Sequence, residues 1–253
     1  MAYQTNHFCW HGCNSTNTEA AKAFYTKVIG WKALDVPMGD TTTTMFMSGE
    51  DGVAHLSEPP TAGVPSHWNN YLRVDDVDAS TAAAAKNGGT VLVPPTDIPP
   101  GRFSMVASPS GATFALFHEA GDDSENNKGG PGKVHWVELH SQDLDADVAW
   151  LSNSFTFETG DMPMPDGSTY KLLKKDGEMC AGAMKAQQPG VPSMWLAWIE
   201  VADVDAAVST AKDGGGNVLS PIMDMPGVGR MAMVQDPTGG VFGVITPPSA
   251  PAA

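Results

Sequence analysis

Phe8-Cys9-Trp10-His11-Gly12-Cys13-Asn14-Ser15 returns 126 positions later as Val134-His135-Trp136-Val137-Glu138-Leu139-His140-Ser141, with Trp10 falling on Trp136. Further out, Tyr71-Leu72-Arg73-Val74-Asp75-Asp76-Val77-Asp78-Ala79 matches Trp198-Ile199-Glu200-Val201-Ala202-Asp203-Val204-Asp205-Ala206 at an offset of 127. Ser108-Pro109-Ser110-Gly111 then matches Asp236-Pro237-Thr238-Gly239 at 128. Three matches in one order, with so little drift in offset, mark an internal duplication. The expected organisation is a domain over 1–119, a linker over 120–132, a second domain over 133–247 and a tail over 248–253. The linker is rich in Gly, Asn and Asp and has no apolar period, and the tail is rich in Pro and Ala.

Each half divides again into two units of one order: strand, helix, short strands. In the first, a strand is predicted over 8–14. Thr16-Asn17-Thr18-Glu19 then offers a helix start, and Ala20, Phe24 and Val28 recur every four residues along one face until Gly30. Strands are predicted at 43–48 and 53–57. The second unit reads as a strand at 68–74, a helix at 77–86 closed by Asn87-Gly88-Gly89, and strands at 91–94, 103–107 and 113–118. Ser108-Pro109-Ser110-Gly111 is the turn joining the last two. Residues 134–246 repeat this scheme, although Asn153-Ser154-Phe155-Thr156 obscures the first helix end there. The fold class is therefore α+β, built from four βαβββ units.

Of the 253 residues 42% are hydrophobic and 17% charged, the balance of a globular protein. With 14 Lys and Arg against 29 Asp and Glu, the formal charge is −15. Such a surface repels phosphate backbones and anionic lipid, so neither nucleic acid nor membrane is an expected partner. No apolar run reaches membrane-spanning length, and the first residues lack the basic start and apolar block of a secretory signal, so cytoplasm is the expected address. Cys9 and Cys13 stand four apart in a strand, about 13 Å from one another and too far for a disulfide. With Cys180 they read as small apolar core residues. Phosphate-binding Gly loops, nucleophile elbows and Cys-x-x-Cys sites are missing from the sequence.

Four strand-helix-strand units in two pairs, with a Pro-x-Gly hairpin before each last strand, resemble the vicinal-oxygen-chelate (VOC) superfamily of glyoxalases, bleomycin resistance proteins and dioxygenases. Trp136-Val137-Glu138-Leu139 matches a first strand common in its tandem members, and Trp10-His11-Gly12-Cys13 departs from it. Ala20-Ala21-Lys22-Ala23-Phe24-Tyr25-Thr26-Lys27-Val28-Ile29-Gly30-Trp31 is similar to the superfamily's first helix. The resemblance implies tandem glyoxalase-like domains whose sheets curve around clefts. It also implies metal ligands at one inward position on the first and last strands of each unit. Those positions hold Trp10 and Trp136, Asn69 and Leu196, Ala115 and Gly243, with the remaining one near Ala54-His55 and Ala181-Gly182. Trp, Ala, Leu and Gly do not ligate, so neither a glyoxalase-type metal centre nor another cofactor is expected.

Strand alternation extends the inward set. In the first half it holds Trp10, Gly12 and Asn14 with His67, Asn69, Tyr71 and Arg73. Arg73 suits a ligand carboxylate or carbonyl, or else pairs with an acid such as Asp75. In the second half the set holds Trp136, Glu138 and His140 with Met194, Leu196, Trp198 and Glu200. A desolvated Glu beside a His makes a general acid–base pair, with Glu138 or Glu200 as base and His140 as acid. A polar network closing the sheet is the plainer alternative. The expected partner is a small organic molecule; no pattern specifies an oligomeric state. The leading expectation is a glyoxalase-like binding protein, metal-free and possessing lyase or isomerase chemistry if it is an enzyme. The alternatives are a sequestering protein of the bleomycin-resistance kind without catalysis, and a metal-dependent dioxygenase or isomerase with displaced ligands such as His55.

Overall fold

A computed structural model describes residues 7–38, 41–120, 129–164, 166–188 and 190–248. Most of the expected linker (121–128) and the end of the tail (249–253) lie outside the described residues.

The four βαβββ units are present in order. The first comprises β1 (Phe8–Asn14), α1 (Thr18–Val28), β2 (Lys32–Met38), β3 (Thr41–Ser48) and β4 (Asp51–Ser57). The second comprises β5 (His67–Arg73), α2 (Val77–Lys86), β6 (Thr90–Ile98), β7 (Gly101–Ala107) and β8 (Thr113–Glu119). The third comprises β9 (Val134–Ser141), α3 (Leu144–Phe155), β10 (Glu158–Pro163), β11 (Thr169–Lys175) and β12 (Glu178–Lys185). The fourth comprises β13 (Met194–Glu200), α4 (Val204–Asp213), β14 (Asn217–Val218), β15 (Met223–Met225), β16 (Gly229–Gln235) and β17 (Val241–Thr246). One sheet runs β2-β3-β4-β1-β5-β8-β7-β6, the other β10-β11-β12-β9-β13-β17-β16-β14, with β15 paired to β16.

Each helix opens on an Asn or Asp whose side chain accepts the amide three residues on: Asn17, Asp76, Asp143 and Asp203. The sequence reading missed β2, an edge strand that is mostly exposed and carries Asp35 and Pro37, so it lacks an alternating apolar pattern. Helix α3 ends on Thr156 at φ 57, a left-handed turn normally given to Gly or Asn, which is why its end was hard to read.

Compactness cuts across the halves. One compact unit gathers the chain up to Trp10 with Asn69–Glu125 and Trp136–Leu196; the other gathers His11–Trp68, Asn126–His135 and Ala197–Ala253. Each unit thus takes most of one βαβββ repeat from each half. The first pairs α2 with α3, and the second pairs α1 with α4. Corresponding glycines permit both pairings. A Cβ on Gly89 would stand 2.6 Å from the indole of Trp150, and one on Gly216 would stand 2.8 Å from the ring of Phe24.

Each unit also buries one carboxylate against a Pro-x-Gly hairpin, from opposite sides. In the first, Asp147 of α3 takes the hydroxyls of Ser110 and Ser141 and the Ser110 amide. In the second, Asp236 of the hairpin takes the Tyr25 hydroxyl of α1 at 2.7 Å and its own Thr238 at 2.7 Å. Ile199 and Val201 of β13 lie with Ala21, Phe24, Val204 and Ala207 in one buried core cluster. Among the described residues no helix is long and apolar enough to cross a membrane.

Candidate functional site

Trp136, Glu138 and His140 alternate along β9 and share one face. Strand β12 lies parallel to β9 with Gly182 opposite Glu138, and β11 lies beyond it and carries Tyr170. A Cβ at position 182 would overlap the Tyr170 hydroxyl, so glycine is what lets the phenol reach across β12. The Trp136 indole N–H donates to the Tyr170 hydroxyl oxygen at 2.8 Å, and that hydroxyl donates to Glu138 Oε2 at 2.6 Å. Glu138 Oε1 meets His140 Nε2 at 2.6 Å. Glu138, His140 and Tyr170 are 6, 9 and 7% exposed, so these bonds replace water that the side chains have lost. Trp136 remains half-buried. Burial, and then the Glu138 charge, hold the Tyr170 phenol far above its ordinary value of 10.0, so it stays a donor.

The corresponding strands of the first half, β1 and β4, pair in the same parallel register, with Gly12 opposite His55. Here the small residue is on the first strand and the large one on the second. A Cβ on Gly12 would overlap the His55 imidazole. Burial pushes that imidazole down to about 4, so it is neutral at physiological pH. Asn14 stands where the second half has His140. Its Nδ2 meets His67 Nε2 at 3.3 Å, and its Oδ1 takes the Ser57 hydroxyl at 2.9 Å. His67 Nδ1 reaches the Pro65 carbonyl at 2.8 Å, which leaves Nε2 to accept the Asn14 amide.

The remaining residues singled out from sequence are spread over both units. Glu200 lies in the second unit, where Oε2 is 3.4 Å from His135 Nδ1. Trp198 is 3% exposed, and its ring covers Gly243 so closely that no Cβ fits there. Tyr71 packs edge-on to Phe117, and burial raises its phenol to about 12. Arg73 is half-buried and close enough to Cys9 to oppose the burial that carries that thiol up to about 12. Asn69 is buried on β5, and Trp10 half-buried on β1. Cys9, Cys13 and Cys180 are free thiols, and the spacing of Cys9 and Cys13 had excluded a bridge between those two.

Leu196 and Ala115 are fully buried apolar residues, Gly243 lies beneath Trp198, and the Trp136 N–H is directed to Tyr170. Among the described residues no three His, Cys, Asp or Glu side chains gather closely enough to hold a metal ion. Leucine, alanine, glycine and a committed indole do not fit a divalent cation. Sequence reasoning put Glu138 and His140 on one face but did not name Tyr170, whose register counterpart in the first half is Thr43. The available signal was the exchange of His55 for Gly182, which opens room for a large side chain from the neighbouring strand.

Residues 6–116 and 103–243 match the Glyoxalase/Bleomycin resistance protein/Dioxygenase superfamily. The chain belongs to this superfamily. Within it, the mycobacterial protein CFP32 of Mycobacterium tuberculosis, named as a glyoxylase, is 33% identical over 244 residues, covering 94% of each chain. The anthracycline biosynthesis protein DauV of Streptomyces sp. strain C5 is 30% identical over 253 residues, covering 93% of this chain and 91% of its own. Among solved structures, the Mn(II)-bound glyoxalase of Novosphingobium aromaticivorans superposes with a TM-score of 0.66 at 18% identity, covering 96% of this chain and 82% of that one. The 2,3-dioxygenase LapB of Pseudomonas sp. KL28 gives 0.65 at 15%, covering 99% and 96%. These two are similar in fold.

Proposed function

We propose that this VOC superfamily member binds a small organic molecule against the Trp136 face of its second half and acts on it by acid–base chemistry of the lyase or isomerase type, without a metal. The observation carrying this reading is the hydrogen-bonded series Trp136–Tyr170–Glu138–His140. A buried carboxylate in contact with an imidazole can hold and return a proton with little reorganisation. A half-buried indole beside it offers a face to a planar guest. The names of two relatives point to compatible ligands, a glyoxylase to small carbonyl compounds and an anthracycline biosynthesis protein to fused aromatic ketones.

The test is a screen of α-oxoaldehydes and hydroxyanthraquinones, read by tryptophan fluorescence for binding and by product formation for turnover. E138Q is expected to lower kcat by about 100-fold or more, the scale of general acid–base catalysis, with the fold intact by circular dichroism. Turnover unchanged in that variant sinks the assignment. Tight, salt-sensitive binding with no product favours a sequestering protein instead.

A further inference from the structure

The roles of the two buried partners follow from counting donors. An indole nitrogen only donates, so the Tyr170 oxygen accepts from Trp136, and the single phenolic proton goes to Glu138 Oε2. The other carboxylate oxygen is 2.6 Å from His140 Nε2. Both oxygens of Glu138 are therefore engaged, and the side chain is 6% exposed. Of the four partners only His140 keeps an uncommitted polar atom: its Nδ1 has no hydrogen-bond partner among the described residues, although the residue is 9% exposed. In the first half the corresponding positions hold Gly12 and Asn14, and the neighbouring His67 has both ring nitrogens occupied.

We propose that His140, through Nδ1, is the proton acceptor the second half presents to its ligand, and that Glu138 and Tyr170 are positioning residues that fix its tautomer. The inference rests on the acid–base reading and reverses the roles expected from sequence, where Glu138 or Glu200 was the base and His140 the acid. The step it implies is a simple transfer. The C–H next to the carbonyl of an enolisable compound gives its proton to Nδ1, and the electron pair of that bond stays on the ligand as an enolate. The imidazolium is held by the Glu138 carboxylate, and the same proton is later returned to the product. The carboxylate contributes twice: it keeps the Nε2 proton in place beforehand and offsets the ring's positive charge afterwards.

The direction of the hydrogen bonds gives a test independent of turnover. In full-length protein labelled with 15N-histidine, with His140 assigned through H140N, the ring is expected to carry its proton on Nε2 and a lone pair on Nδ1. In E138Q the Trp136–Tyr170 pair still sends a proton inward, so the glutamine turns its carbonyl oxygen to Tyr170 and its NH2 to His140. The tautomer is then expected to flip, placing the proton on Nδ1. Adding Y170F to E138Q frees the glutamine oxygen to face His140 and restores the Nε2–H form. A wild-type ring protonated on Nδ1, or a tautomer that E138Q does not move, overturns the proposal, and the wild-type spectrum alone decides it if E138Q fails to fold. Absence of turnover with a correct tautomer would instead count against the acid–base reading while leaving His140 as the group that accepts a ligand hydrogen bond.

Discussion

Gly12 faces His55 in the first half, and Glu138 faces Gly182 in the second, at the same pair of parallel strand positions. The two halves have exchanged which strand carries the bulk. In the first half the imidazole occupies the space over Gly12 and is kept neutral by burial. In the second half the space over Gly182 is open to a side chain from the next strand, and Tyr170 crosses to reach the carboxylate. One duplicated backbone thus supports a filled, neutral site and a hydrogen-bonded, ionisable one. What decides between them is the placement of a single glycine. A buried carboxylate is tolerable only where partners replace its water, and only the half with Gly182 has room for the partner.

The sharpest way to break this comparison is G182A. The new methyl displaces the Tyr170 hydroxyl from Glu138, adding overpacking to the loss of a partner for a buried carboxylate. We expect a loss of about 2–4 kcal/mol in urea unfolding. An unchanged midpoint would mean that the phenol has another route to Glu138. The mirror experiment is G12A, expected to cost about 1–3 kcal/mol through its clash with the His55 ring. H55A added to it should recover most of that loss. Y170F comes next, with about 1–3 kcal/mol expected, because Glu138 Oε2 loses a donor and the Trp136 N–H an acceptor.

His55 supplies a prediction in pH. Its folded pKa of about 4 lies below its ordinary value of 6.5, so the unfolded chain takes up this proton first as pH falls. Stability from the neutral ring is therefore full above 6.5, declines as pH falls toward about 4, and changes no further below it. Subtracting the pH profile of H55Q from that of wild type should isolate this window; parallel profiles would show that the ring is more hydrated than its packing implies. The smallest effects are expected where the halves agree. Arg102 bridges Asp78 and Asp97, and Arg230 bridges Asp205 and Asp224, both on exposed surface. R102A and R230A should each leave the unfolding midpoint within replicate error, and equally so in both halves.

The sequence determined more of the fold than of the site. Duplication was legible because Trp10 and Trp136, Val74 and Val201, and the two Pro-x-Gly hairpins recur in order. The first helix start was legible because capping is local: Asn17, within Thr16-Asn17-Thr18-Glu19, takes an amide three residues on. Alternation on β9 placed Glu138 and His140 on one face for the same reason. Edge strand β2 escaped notice because exposure removes the apolar period that reveals a strand.

Three matters were left to tertiary structure. The compact units join repeats from different halves, since a helix face does not specify in sequence which other face it will cover. Glu200 meets His135 in one unit while Glu138 meets His140 and Tyr170 in the other, so carboxylates of matching strand parity take unrelated partners. Tyr170 entered the site across an intervening strand, over a glycine 12 residues further along the chain. Period and capping are short-range properties of the backbone and can be read from one stretch of sequence. Which side chain fills a space depends on what neighbouring strands leave empty, and that is settled only when the strands are side by side.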